Sequence, residues 1–296
     1  MILKQILFII LISSNILLAN NESNTQKNNF GFLSTFNILD DFKDARSNLT
    51  TWLEKLGEEQ NFSVNVYFYK DSKKILDDYN SGKLDLITIN YYSFFENKSK
   101  LEAISSRYWT ITYNKEQTYK LCLIKNNSVK FNSFKDLKEK SIILRKYDDH
   151  GSIWLDYQSL KSNNKTFKDT LDLVKYEHNE STSLLSVYFN KNNLALISED
   201  TWNTMLELNP AISKRISVFQ CSKIDFLPFV SLFSKKVKNE DINTFFKISD
   251  NMRNEEKIKN IHELFQFEKI VELEKDDLKA IDNFYNNYIT LKKKYE

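Results

Sequence analysis

Apolar residues recur along this chain at two spacings. From Asp40 onward, Phe42, Ala45, Leu49, Trp52, Leu53 and Leu56 fall on one face of a helix, and Gly57 offers a C-terminal stop. The next segment, SVNVYFY (63–69), alternates with the period of two expected of a strand. A shorter helical pattern carries Ile75, Leu76 and Tyr79 and ends at Gly82, and LDLITI (84–89) is an apolar run of buried-strand length. Strand and helix alternate, which predicts an α/β fold with a largely parallel sheet.

The pattern is written twice. NNLALISEDTW (192–202) echoes GKLDLITINYY (82–92), with Leu194, Leu196 and Ile197 standing 110 positions after Leu84, Leu86 and Ile87. A helical segment precedes each copy, KKILDDYN in one and SLLSVYFN in the other. The repetition predicts two similar α/β lobes. TYKLCLIKN (118–126) and ISVFQCSKI (216–224) read as extended segments joining them, so the expected organisation is a discontinuous first lobe (30–119 plus 223–296) and a continuous second lobe (120–222). FVSLFS (229–234) and the helical C-terminus close the first lobe. Cys122 and Cys221, the two cysteines, fall on the two joining segments. They are too far apart for a CxxC redox or zinc site, and both a hinge disulfide and two buried thiols fit the pattern.

The first residues place the chain outside the cytoplasm. MILKQILFIILISSNILLAN has one cation, Lys4, and an apolar run closing on Ala19, the form of a secretory signal peptide (1–19) cleaved after Ala19. Leu17 is larger than the small residue preferred there, which keeps an uncleaved anchor as the alternative. Residues 20–29 read as a flexible, Asn-rich lead-in. No later stretch approaches the roughly 20 apolar residues of a membrane span, so the protein is expected to be periplasmic and not membrane-spanning after cleavage. The net charge is +2, with cations and carboxylates interleaved, which argues against a nucleic-acid groove.

In open α/β sheets, ligands sit beyond the carboxyl ends of strands, where helix N-termini present their amides. Four such turns are legible: Ser34 and Thr35; Asn90, Tyr91, Tyr92 and Ser93; His150, Gly151 and Ser152; and Glu199 and Asp200. Gly151 is one of only four glycines. A Gly-Ser pair opening a helix offers amides and a hydroxyl to an anion, and His150 adds a donor or a charge. Structural roles compete at every position. Ser152 also suits a helix cap, Tyr91 and Tyr92 suit core or rim, and Glu199 and Asp200 suit the start of a helix. His150, His178 and His262 stand in no metal-binding spacing, and no GxSxG, GxGxxG or phosphate-loop motif occurs. The expectation is a binding protein without cofactor or metal, not an enzyme.

SGKLDLITINYYSFFE, FKDLKEKSIIL and NKNNLALISEDTW, in that order, resemble the substrate-binding proteins of phosphate, phosphite and phosphonate ABC importers, a branch of the type II periplasmic binding proteins. The resemblance runs from about residue 30 to 250. It implies two hinged, doubly wound lobes with two crossover strands, closing on a small anionic or zwitterionic ligand for an ABC permease. Presentation of the ligand to a membrane sensor and an enzyme on the same fold are the alternatives. Tyr92 and Ser93 then fall on the ligand-facing turn of the first lobe, Gly151 and Ser152 on the anion-holding turn of the second, and Glu199 or Asp200 where phosphonate binders meet a ligand amine. The sequence departs from the family where DDHGS replaces a run of small hydroxyl residues, and where Asn192 and Ala195 replace a glycine and an aspartate.

Overall fold

A first run of alternating elements, β1 (Gln26–Leu33), α1 (Lys43–Glu59), β2 (Phe62–Tyr69), α2 (Ser72–Asn80), β3 (Leu86–Ile89), α3 (Tyr91–Glu96), α4 (Lys98–Ile104) and β4 (Ser105–Thr112), begins one sheet. A second sheet takes β5 (Leu121–Asn126), β6 (Ser141–Arg145), α5 (Asp149–Asn163), α6 (Phe167–Thr170), β7 (Leu173–Glu177), α7 (Glu180–Tyr188), β8 (Leu194–Ser198), α8 (Glu199–Leu208) and β9 (Ile216–Cys221). The chain then returns to the first sheet through β10 (Val230–Ser234), α9 (Asn239–Asn251) and β11 (Lys269–Leu273), and ends in α10 (Lys279–Tyr295). This computed structural model describes residues 26–34, 43–59, 62–112, 116–251 and 268–295. Residues 1–19, read above as a signal peptide, Thr35 and His262 lie outside the described residues.

The sheets have orders β11-β4-β10-β3-β1-β2 and β7-β6-β8-β5-β9. In each, three strands run parallel around a central member, β2-β1-β3 and β7-β6-β8, and two antiparallel neighbours follow, β10-β4 and β5-β9. The repeated sequence pattern therefore corresponds to one topology built twice. In both copies a helix (α2 or α7) precedes a buried strand (β3 or β8), and a second helix (α3 or α8) follows it. A strand between two neighbours, covered on both faces, carries apolar residues throughout. Leu86, Ile87 and Ile89, and Leu194 to Ile197, are accordingly almost without exposure.

Two local expectations differ from the structure. Gln26–Asn29, read as lead-in, form the first half of β1 and lie in register with Phe62–Asn65 of β2. Polar residues suffice there because the parallel ladder uses backbone groups, and Asn65 Nδ2 adds a 2.7 Å bond to Asn29 Oδ1. Nor does α1 stop at Gly57, which is buried inside it. A glycine costs a helix about 1 kcal/mol relative to alanine, less than the burial of Leu49, Trp52 and Leu53 contributes on the same helix. Gly82 does end a helix, in the left-handed region at φ +73°.

The two crossings run side by side. Tyr119 and Phe226 exchange N–H···O bonds of 2.9 and 2.8 Å, Ser222 N–H reaches Leu121 O, and Cys122 stands opposite Cys221 in the β5–β9 ladder. The two sulfurs are bonded, across a sequence separation of 99 residues. One apolar cluster continues through both halves, from Ile87 and Tyr91 to Leu121, Trp154, Phe226 and Tyr285. α10 completes it by packing on both. Phe284 meets Tyr157 of α5 with ring centroids 5.3 Å apart, and Tyr285 stacks on Tyr91 of α3 at 6.0 Å. No helix among the described residues is long and apolar enough to cross a membrane.

The disulfide closes a loop around the whole second sheet, and the chain-entropy account assigns such loops up to about 4–5 kcal/mol. Cys122→Ser/Cys221→Ser should therefore unfold at distinctly lower denaturant than the parent. Mass spectrometry of exported protein, alkylated under denaturing but non-reducing conditions, should detect no modified thiol; two modified thiols would contradict the bond.

Candidate functional site

The ends of β3 and β6 turn toward each other. After β3, Asn90 caps α3, its Oδ1 accepting the Ser93 N–H at 2.7 Å. The other end of the same amide, Nδ2, donates to Asp149 Oδ2 at 2.8 Å. Asn90 belongs to the first sheet's turn and Asp149 opens α5 on the second, so this bond joins the two halves directly.

At the start of α5, Asp148 is the cap and its Oδ1 accepts the Gly151 N–H at 2.9 Å. A Cβ on Gly151 would lie 2.3 Å from Asp148 Oδ2 and 2.9 Å from Leu196 Cδ2. Glycine is required because a cap carboxylate and a core leucine both press on the helix start. The amide read from sequence as an anion donor is thus taken by the protein's own carboxylate. Burial pushes the Asp148 carboxyl up, against the opposing influence of Arg145 and the Gly151 N–H. Asp149 is pushed up to about 6 by burial and by the neighbouring carboxylates Asp148 and Glu96.

His150 is buried, with Nδ1 2.6 Å from the Tyr285 hydroxyl. Burial, then Arg145, depresses it to about 3, so the ring is neutral at physiological pH. Tyr285 is raised well above 10, chiefly by burial, and keeps its proton. Two neutral groups thus share this hydrogen bond, with the donor set by the imidazole tautomer. Ser152 is half-buried, and its N–H makes the ordinary helical bond to Asp148 O at 3.1 Å.

Sequence reasoning missed the group beneath β8. Glu180, the first residue of α7, is buried and accepts at Oε2 from the Ser198 N–H (2.9 Å), the Ser198 hydroxyl (2.6 Å) and the Thr201 hydroxyl (2.7 Å). Its Oε1 lies 3.3 Å from Arg145. Burial opposes its charge, but Arg145 and these donors outweigh burial and hold its pKa down. The available signal was Asn179-Glu180, a cap followed by an acid at a helix start, which reads as local structure.

The remaining candidates divide by environment. Ser34 is buried, and both its N–H and its hydroxyl go to Tyr69 O. Tyr91 is fully buried and donates to Asp282 Oδ1 at 2.8 Å, while Lys98 pairs with the same carboxylate. Tyr92 is half-buried against Tyr285, with its hydroxyl pushed up to about 12 by burial and Glu96. Ser93 is buried in α3. Glu199 gives its N–H to Lys120 O, and its carboxylate and both cysteine sulfurs lie within 4.8 Å of one another. Asp200 is exposed in the first turn of α8. The structure thus gathers Tyr92, His150, Gly151 and Ser152 near the Asn90–Asp149 bond and sets Glu199 beside the hinge disulfide.

A family model described as the periplasmic substrate-binding protein of a phosphonate ABC transporter matches residues 40–278. No curated protein sequence matches the chain. Among solved structures, the fold is similar to a binding component of a Pseudomonas aeruginosa ABC phosphonate transporter, with TM-score 0.64, 15% identity and coverage of 92% of this chain and 90% of that one. It is also similar to a Prochlorococcus marinus protein in complex with methylphosphonate (TM-score 0.61, 14% identity, 89% and 98% covered). A Xanthomonas citri protein bound to ATP gives TM-score 0.65 at 7% identity, with 91% and 99% covered. These likenesses establish two α/β lobes of the type II periplasmic-binding-protein fold.

Asp149 and His150 pull acid stability in opposite directions. The Asp149 pKa is higher in the fold than its ordinary 3.8, so its contribution favours the fold at low pH and is lost as pH rises through about 6. The His150 pKa falls from 6.5 to about 3, so its contribution is present above 6.5 and is lost as pH falls toward 3. Each slope is about 1.4 kcal/mol per pH unit where fully developed, and between about pH 4 and 6 they largely cancel. Asp149→Asn removes one of them. Its melting temperature should fall more steeply than the parent's between about pH 6.5 and 4.5, and parallel curves would contradict these environments.

Proposed function

Because this chain belongs to the periplasmic substrate-binding proteins of phosphonate ABC transporters, a family of binding proteins and not enzymes, we propose that it takes a small zwitterionic phosphonate-type ligand between the α3 and α5 turns for delivery to its permease. The observation that carries this reading is the Asn90–Asp149 bond, where turns from two different sheets meet across a paired hinge. The Ser152 hydroxyl is the group offered to the phosphonate oxygens, with the Tyr92 ring at the rim. The carboxylates Asp148, Asp149 and Glu96 around the same place favour a ligand that brings an ammonium group and disfavour a bare dianion. The similarity to a protein holding methylphosphonate supports the phosphonate end of the ligand.

Thermal shift of the exported protein against phosphate, phosphite, methylphosphonate, aminoalkylphosphonates, sulfonates and amino acids tests the reading. A ligand at 100 times its Kd adds about 2.7 kcal/mol of stability, so a true ligand stands clear of the others. Aminoalkylphosphonates should rank above methylphosphonate. Ser152→Ala should weaken binding by roughly tenfold, the worth of a hydrogen bond to a charged group, with little change in melting temperature. Stabilisation by none of the phosphonates would refute the ligand class; unchanged affinity in a folded Ser152→Ala protein would move the site elsewhere.

A further inference from the structure

Asn90 is held at one end and extended at the other. The Ser93 N–H fixes its Oδ1, and with that orientation set, Nδ2 is the donor turned toward the second half of the molecule. The acceptor it meets is Asp149, whose neighbour Asp148 is already turned inward to cap α5. We propose that Asp149 is the specificity-determining residue of the cleft, its carboxylate acting as a built-in occupant of the Asn90 donor that an entering ligand has to displace or neutralise. The inference rests on the placement of the ligand between the α3 and α5 turns.

The surroundings decide which ligands do so. From α3, Glu96 and the Tyr92 hydroxyl face this carboxylate; from α5 itself, Asp148 and the neutral His150 adjoin it; from α10, the Tyr285 hydroxyl does. Arg145 is paired with Glu180, and Lys98 with Asp282. An oxyanion arriving here competes with a like charge for one N–H, and in a partly desolvated cleft that repulsion is not screened as it is in water. A ligand ammonium instead finds a carboxylate short of counter-charge. When Asp149 takes up a proton it loses its charge and becomes a donor, so the same position then tolerates an oxyanion. Anion affinity therefore rises as pH falls through about 6 and declines above it.

Titration calorimetry of the parent and Asp149→Asn with methylphosphonate and with aminoethylphosphonate, at about pH 5 and about pH 7.5, tests this. The ligand's own ionisation is common to both proteins, so the ratio of their affinities isolates Asp149. At the higher pH the variant should bind methylphosphonate about tenfold more tightly or better, and aminoethylphosphonate more weakly. Both ratios should shrink toward one at the lower pH. Ratios near one at both pH values, with binding intact, would overturn this proposal alone. Binding of no phosphonate by either protein would overturn the ligand reading and the proposal with it. Should the variant fail to fold, the Asn90 side-chain amide resonances of the parent decide: they should titrate with a midpoint near 6, and a flat response would dispose of the contact.

Discussion

The double crossing between the sheets is the constraint from which the cleft follows. β5 and β9 run antiparallel, Tyr119 and Phe226 exchange backbone bonds beside them, and the Cys122–Cys221 bond ties the same place covalently. Five strands of the first sheet, β2-β1-β3-β10-β4, follow the order of the second, β7-β6-β8-β5-β9, and the segments leaving β3 and β6 are carboxyl-end turns of their respective halves. A double connection at one place leaves the halves free to pivot chiefly about it, and the turns are what meet. The Asn90–Asp149 bond is that meeting in atomic detail.

A second restraint comes from α10. Its Tyr285 stacks on Tyr91 of the first half and bonds His150 of the second, while Tyr288 donates to the buried Asp156 of α5 at 3.0 Å. Each of these hydroxyls is paired inside an apolar cluster, where a lost partner costs about 1–3 kcal/mol. The helix therefore resists separation of α3 from α5. Moving α3 away from α5 would break these polar contacts.

Much of this was legible in the chain because periodicity reports burial. LDLITI and LALIS are mostly apolar since β3 and β8 are covered on both faces, and their repetition exposed the twofold plan. Individual polar roles were less legible, because spacing does not reveal which way a short side chain turns. Asp148 and Asp149 are adjacent and chemically alike, yet one caps its own helix and the other reaches a different sheet's turn. Arg145 and Glu180 are far apart in sequence and meet only because β6 lies between β7 and β8. Tyr91 and Tyr92 offered no distinction either, until α3 turned one toward Asp282 and left the other half-exposed.

Gly151 shows how a correct signal carries a different meaning once the neighbours are known. A scarce glycine at a helix start suggests backbone presented to an anion. The group at that amide is the Asp148 carboxyl, and the missing side chain makes room for it and for Leu196. A helix N-terminus capped in this way has one donor fewer for an external oxyanion, since the Gly151 N–H is already taken. Asp149 then adds a charge of the same sign as an oxyanion beside it. On the proposed reading, recognition of a phosphonate at this turn would depend less on the helix end than on hydroxyls, on Asn90 once released, and on whatever positive charge the ligand itself carries.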